Sequence, residues 1–270
     1  MKIKNSLGQI SFGTYIILLA IVLSSAGCNE TASTTDNNTV FKPHPGVAGF
    51  DWGNDPLEVS INEAVLKTDM GRDTLDLIKE DLYTYFHTMN TGDSLDWETH
   101  LTHFPLHMFN DTAMLNKQFA ETVHWRDKGF LNRMGKADIK YASNWIIEED
   151  QMVAILGYNA DFYLDFLPHF EGNPAGMRFL LEDKYGRDNI IFNSSEEVNA
   201  SGDTISIRNW HADAYSTIFV LKPLESMHFT FLPQGFNKAN FGADLMKSET
   251  MLDLMRLARE YKKSITNGGN

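Results

Sequence analysis

Asp161, Tyr163 and Asp165 alternate with Phe162, Leu164 and Phe166 along one stretch of this 270-residue chain. On a β-strand that alternation puts two carboxylates and a phenol on one face. Such a trio can take up a proton and hold a developing oxyanion. The same pattern describes the water-facing side of an antiparallel strand, and that solvated role is the expected one. His100, His103 and His107 make a second set, with spacings of three and four that would share a helix face and suit a metal. Pro105 lies inside the set and breaks a helix. A strand would send His100 and His103 to opposite faces, and metal sites usually include a carboxylate or thiolate. Ordinary pocket or surface histidines are expected, with no metal and no other cofactor.

Trp125, Trp145, Trp210 and His211 add bulk that can line a pocket or fill a core, and core filling is the commoner role. The candidate pocket lining is Tyr85, His107, Trp125, Tyr163 and His211. No residue is assigned a catalytic role. The chain has no Gly-x-Ser-x-Gly, phosphate loop or zinc-hydrolase motif, and no cysteine placed as a nucleophile.

The elements that must position these residues follow from periodicity. Ser60-Ile-Asn-Glu63 has capping-box spacing and predicts a helix start. From Asp73, the residues Leu75, Ile78, Leu82, Phe86 and Met89 step by three and four, which predicts an amphipathic helix ending at Asn90. Pro105 excludes a continuous helix over 95–109. A second helix is expected over 113–132, with Leu115, Phe119, Val123 and Phe130 on one face. Beyond Gly135 the period becomes two. Strands are expected over 138–148 and 152–166, joined as a hairpin at Glu149-Asp150. Asn173-Pro174 opens a short helix that Gly186 closes. Strands over 189–193, 204–211, 215–222 and 227–232 precede a helix over 243–263. Helices first and strands afterwards predict an α+β domain, with helices packed in a strongly curved antiparallel sheet and one extra C-terminal helix.

Cys28 is the only cysteine. It follows Leu23-Ser24-Ser25-Ala26-Gly27, the apolar run Tyr15–Leu23 and a start carrying Lys2 and Lys4. Charged head, short apolar middle and small residues form a signal peptide. The run is too short for a membrane-spanning helix, which needs ~20 apolar residues. A cysteine directly after the small residues resembles a bacterial lipobox, cut before Cys28 and acylated there. Ser25 stands where lipoboxes usually carry Leu. The resemblance implies a palmitate-bearing lipoprotein of the cell envelope, and Asn29 in place of an inner-membrane-retaining Asp implies the outer membrane. Removing residues 1–27, with two lysines and no acid, takes the net charge from −13 to −15. That charge repels nucleic acid and anionic headgroups, so no nucleic acid partner is expected and the membrane contact is the lipid.

Residues 1–27 are thus read as signal peptide, 28–40 as a polar tether, and 41–59 as an extension packed on the domain through Phe50 and Trp52. The domain is expected over 60–235, followed by a C-terminal helix and tail over 236–270.

Tyr83-Thr-Tyr-Phe-His-Thr-Met-Asn-Thr-Gly-Asp93 followed by Thr102-His-Phe-Pro-Leu-His-Met-Phe109 resembles the opening of nuclear transport factor 2-like (SnoaL-like) domains, in which a helix ends in Asn-x-Gly-Asp before a Pro-containing aromatic element. Lys184-Tyr-Gly-Arg-Asp-Asn-Ile190 and the strands after it are similar to that family's second half. The resemblance covers residues 60–235 and implies a cone-like sheet with a pocket at its open end. It implies no single function, because members include isomerases, dehydratases, binding modules and scaffolds. Ketosteroid-isomerase-like members use an Asp base after the first helix, where this chain offers His100, His103 and His107 and no Asp until Asp111.

The expected function is therefore non-catalytic binding of a small apolar or amphipathic ligand, or of a partner protein, by a lipid-anchored envelope domain. The alternative is a SnoaL-like isomerase or hydro-lyase with a His or Asp general base, and a homodimer is a further option. The anchor is directly testable. Cys28→Ala should abolish labelling by a palmitate analogue and release the protein from the membrane fraction.

Overall fold

A computed structural model describes residues 57–62, 68, 70–90, 96–105, 113–198, 202–233 and 246–267. The signal peptide, Cys28, the tether and most of the extension lie outside the described residues, as does His107. The described chain is α+β, with one curved, unclosed sheet and few helices.

The strands are β1 (Glu58–Ile61), β2 (Phe130–Ala142), β3 (Ile146–Ile147), β4 (Gln151–Phe166), β5 (Ile190–Val198), β6 (Thr204–Pro223) and β7 (Thr230–Pro233). Their order is β1-β2-β4-β6-β5, with β3 on β4 and β7 on β6. All pairings are antiparallel except β1 with β2. The helices are α1 (Arg72–Met89), α2 (Trp97–Thr102), α3 (Ala113–Asp127), α4 (Arg178–Tyr185) and α5 (Ser248–Asn267).

The amphipathic pattern from Asp73 becomes α1, which buries Leu75, Ile78, Leu82, Tyr85 and Phe86. Its C-terminal Asn90 clamps β2, accepting from the Met134 N–H at 2.8 Å and donating to the Met134 carbonyl at 3.1 Å. Pro105 does exclude a longer helix: α2 is six residues, capped by Asp96 and finished before the proline.

Several boundaries differ from the pattern-based reading, among them β5, which runs to Val198, beyond the strand end expected at residue 193. Ser60-Ile-Asn-Glu63 does not start a helix, because Leu57, Val59 and Ile61 alternate and Val59 and Ile61 pair with Ala137 and Ile139 of β2. The Ser60 hydroxyl instead donates to Asp138 at 2.9 Å. β1 thus crosses the boundary drawn at residue 59. The second helix stops at Asp127, because Gly129 takes a left-handed φ of 82° and turns Phe130 into β2. A Cβ at Gly129 would stand 2.8 Å from the His169 ring. The expected hairpin at Glu149-Asp150 forms, with β3 and then β2 pairing antiparallel to β4, but its first strand starts at Phe130 and is interrupted between Ala142 and Ile146. Finally, 204–211 and 215–222 form one strand, because Ala212 and Ala214 keep the buried face continuous while Asp213 points outward.

β4 pairs with β6 along its whole length and on its other side with β2 from Leu156 to Phe166 and with β3 at Met152–Val153, and it is buried on both faces. Its even-numbered residues face α1, with Phe86 and Tyr158 ring centroids 5.6 Å apart. At the far end of that face Phe162, Leu164 and Phe166 pack with Met177, Leu181 and Trp210. The opposite face is covered near Val153 and Ile155 by α5, which buries Leu254 and Ala258 and bonds Tyr261 Oη to the Lys140 carbonyl at 2.7 Å. Tyr141 stacks on Tyr261, and the Tyr215 ring fills the space over Gly157 that any Cβ would occupy. Two bulges in β2, between Met134 and Ala137 and between Ile139 and Tyr141, bend the strand.

His100 sits inside this core and not at a metal. It is enclosed by Tyr85, Trp97 and Phe104, and its Nδ1 lies 3.2 Å from the Thr88 hydroxyl. Burial pushes its pKa down to about 3, against a hydrogen bond to the Tyr85 backbone that pulls it up. The unfolded chain takes up this proton near pH 6.5 and the folded one does not, so stability falls as pH drops from 6.5 toward 3, at up to ~1.4 kcal/mol per pH unit. His100→Phe should flatten that acid limb in urea unfolding measured across pH 4–7.

Candidate functional site

Beyond the end of α5, the odd-numbered face of β4 is covered by side chains from its own neighbours. Asp161, Tyr163 and Asp165 project there, with Arg133 on β2 opposite Tyr163 and His211 on β6 opposite Tyr163 from the other side. His211 stacks on the Tyr163 ring at 4.6 Å and 11°. The Arg133 guanidinium stands 4.4 Å from the centroid of the same ring. Arg133 then grips Asp165 with both donors, Nε to Oδ2 at 2.7 Å and Nη2 to Oδ1 at 3.4 Å. At the other end His211 Nε2 lies 2.8 Å from Asp161 Oδ1. The result is a continuous row across three strands: Asp165, Arg133, Tyr163, His211, Asp161.

The bulge after Met134 brings Gly135 beneath the row, where an added Cβ would meet Tyr163 at 2.9 Å. The row corrects the solvated-face reading. Tyr163 and Asp165 are buried, Asp165 at 1% exposure, while Asp161 and His211 are part-exposed and Asp213 is open. Three planar groups, a guanidinium and an imidazole over the two faces of one phenol ring, cover a surface that the strand pattern alone would leave to solvent. A buried carboxylate needs a partner, and Arg133 lies 32 positions away in sequence.

The row has limited chemistry. Asp165 is bound bidentately by Arg133, and both neighbours of Tyr163 cover its ring. The accessible acid–base pair is Asp161 with His211, in which a carboxylate orients an imidazole as in proton-transfer sites.

Of the four candidate pocket residues that are described, Tyr85, Trp125, Tyr163 and His211, only Tyr163 and His211 meet; His107 lies outside the described residues. Tyr85 is in the core on the α1 side, 5.4 Å from the Phe231 ring, and burial raises its pKa far above the ordinary value. Trp125 packs edge-on against Phe130 on that same side of the sheet, so the sheet separates both from Tyr163 and His211. Trp145 stacks on Phe229, and Trp210 donates to the Pro174 carbonyl at 2.8 Å. Both are packing residues.

The histidine run is divided as well. His103, the C-cap of α2, is buried and faces Asp81 of α1 and His228 of the β6–β7 turn. Burial lowers its pKa, with Asp81 and the Phe229 backbone opposing the shift. The carboxylate missing from the run comes from Asp81, a position that helix periodicity marks only as polar. Arg133, Gly135, Asp81 and His228 were not singled out from sequence. Arg133 falls between the expected helix over 113–132 and the expected strand over 138–148, so no periodic signal marks it.

Among the described residues no helix is long and apolar enough to cross a membrane. Comparison of the chain with family models, curated proteins and solved structures finds no match to any of them.

Removing the cation that faces buried Asp165 should be costly. Arg133→Met should destabilise the fold by ~3–5 kcal/mol in urea unfolding. The double variant Arg133→Met/Asp165→Leu should recover much of that loss, because the buried charge goes with its partner.

Proposed function

We propose that this chain is a lipid-anchored protein of the bacterial cell envelope, held at the outer membrane through Cys28, whose domain recognises a protein partner without catalysing a reaction. The observation that carries the non-catalytic reading is the two-donor hold of Arg133 on buried Asp165, a carboxylate that an isomerase would need free as its base. The cone-like nuclear transport factor 2-like arrangement belongs to the same proposal, supported by the order of elements and by a curved sheet with helices on it.

Partner recognition is favoured over an enclosed small ligand by the β5 edge of the sheet. Ile191 is exposed there beside His211, and Phe192 and Val198 are exposed on the opposite face of the same strand, Phe192 against Trp210. An unpaired strand with apolar side chains can accept a further strand or an apolar surface. A strongly acidic surface would suit a partner with basic groups around that contact.

The second reading, a SnoaL-like isomerase or hydro-lyase, keeps one observation in its favour, the part-exposed Asp161–His211 pair at 2.8 Å. A photo-crosslinker placed at Phe192 in intact cells separates the two. The expected result is one discrete protein adduct at position 192 and none from the exposed Glu225 control. An adduct of twice the chain's mass would identify the partner as a second copy. No adduct at 192, together with a co-purifying small molecule lost in His211→Ala, would overturn the proposal in favour of the enzyme.

A further inference from the structure

Three side chains from three separate elements converge near the β6–β7 turn. Asp81 comes from the middle of α1, His103 from the cap of α2, and His228 from the turn itself. Asp81 Oδ1 lies 3.8 Å from His103 Nδ1 and 3.3 Å from His228 Nδ1, and one donor atom from each of the three residues lies within 4.8 Å of the other two. Both imidazoles therefore present the same ring nitrogen toward one carboxylate oxygen. The other oxygen of Asp81 is occupied, because the Phe229 N–H donates to Oδ2 at 2.9 Å. That bond fixes the carboxylate with Oδ1 turned toward the histidines, the kind of outer support that orients metal ligands.

We propose that Asp81 Oδ1, His103 Nδ1 and His228 Nδ1 bind one divalent first-row metal ion of the zinc class. Two imidazoles and one carboxylate form a familiar donor set for such ions. Bonds of about 2.0–2.1 Å at tetrahedral angles place donor atoms about 3.3–3.4 Å apart. One separation already matches; the Asp81–His103 distance of 3.8 Å has to shorten by about 0.5 Å, and the exposed His228 ring can turn toward His103. His228 is 60% exposed, so an ion can enter from solvent and keep a water in the fourth position. His103 is nearly buried and sets the floor. The Phe229 carbonyl, 3.4 Å from His103 Nδ1, borders the same space. Bound there, the ion ties α1 and α2 to the β6–β7 turn. This site lies apart from the Asp161–His211 face and does not depend on how that face is used.

The competing explanation is a hydrogen-bonded cluster, in which the Nδ1–H groups donate to Asp81 and to the Phe229 carbonyl. Chelator-stripped, full-length protein distinguishes the two by titration calorimetry with Zn(II) and by the visible absorption of Co(II). The expected result is one ion per chain, with affinity reduced at least tenfold in His228→Ala and in Asp81→Asn. His124→Ala, on the exposed side of α3, should bind as the parent does. The His228 variant removes an exposed ring, so the test stands even if Asp81→Asn fails to fold. Absence of saturable binding in folded parent protein, or equal binding by parent and His228→Ala, would overturn the assignment.

Discussion

Burial of β4 on both faces is the constraint from which most of this architecture follows. A strand with neighbours on each side and apolar residues above and below needs two covers. α1 supplies one, with Ile78 and Leu82 fully buried. α5 supplies the other only as far as the Tyr141, Tyr215 and Tyr261 cluster. Past that point no described helix lies over the odd-numbered residues of β4. The strand is closed instead by groups that are polar at their tips and flat in their bodies: a guanidinium, a phenol and an imidazole. These bury apolar faces while meeting one another's charges. The candidate site is thus a consequence of incomplete helical cover.

The same economy explains why the row is poor catalytic material. Groups recruited to seal a sheet are held by their neighbours, and a held carboxylate has little freedom to act as a base. The pair at the open end keeps more freedom, since Asp161 and His211 are only partly covered. The cluster near the β6–β7 turn differs in kind. There the polar groups seal nothing large, and their convergence from three elements is not explained by burial of the core.

Elements with a strong single period were legible in the sequence. α1 was plain because its apolar residues repeat at helical spacing over eighteen positions, and α4 because proline opens its approach and Gly186 takes a φ of 84° at its end. Failures came where local and distant signals disagree. Ser60 and Glu63 satisfy a cap pattern locally, but Val59 and Ile61 find a better outcome beside a strand nearly eighty residues away. Phe130 continues a helical face in spacing, yet Gly129 redirects it. The site failed for the same reason. Tyr163, Asp165, Asp161 and His211 were all noticed, but their shared environment depends on Arg133, and no local period links residue 133 to residue 165.

The parallel pairing of β1 has a mechanical meaning. Its four residues are the first of the described chain to join the sheet, and they do so at an edge, through register pairs from Glu58–Lys136 to Ile61–Ile139. α1 to α3 intervene between the two strands, so this pairing closes a long loop and is expected late in folding. Among the described residues, tension transmitted along the chain from the N-terminal side reaches those few ladder bonds and the Ser60–Asp138 contact first. A pull from that direction would peel an edge strand and leave the β2-β4-β6 centre intact, so β1 acts as a mechanical fuse between the domain and whatever holds its N-terminal end.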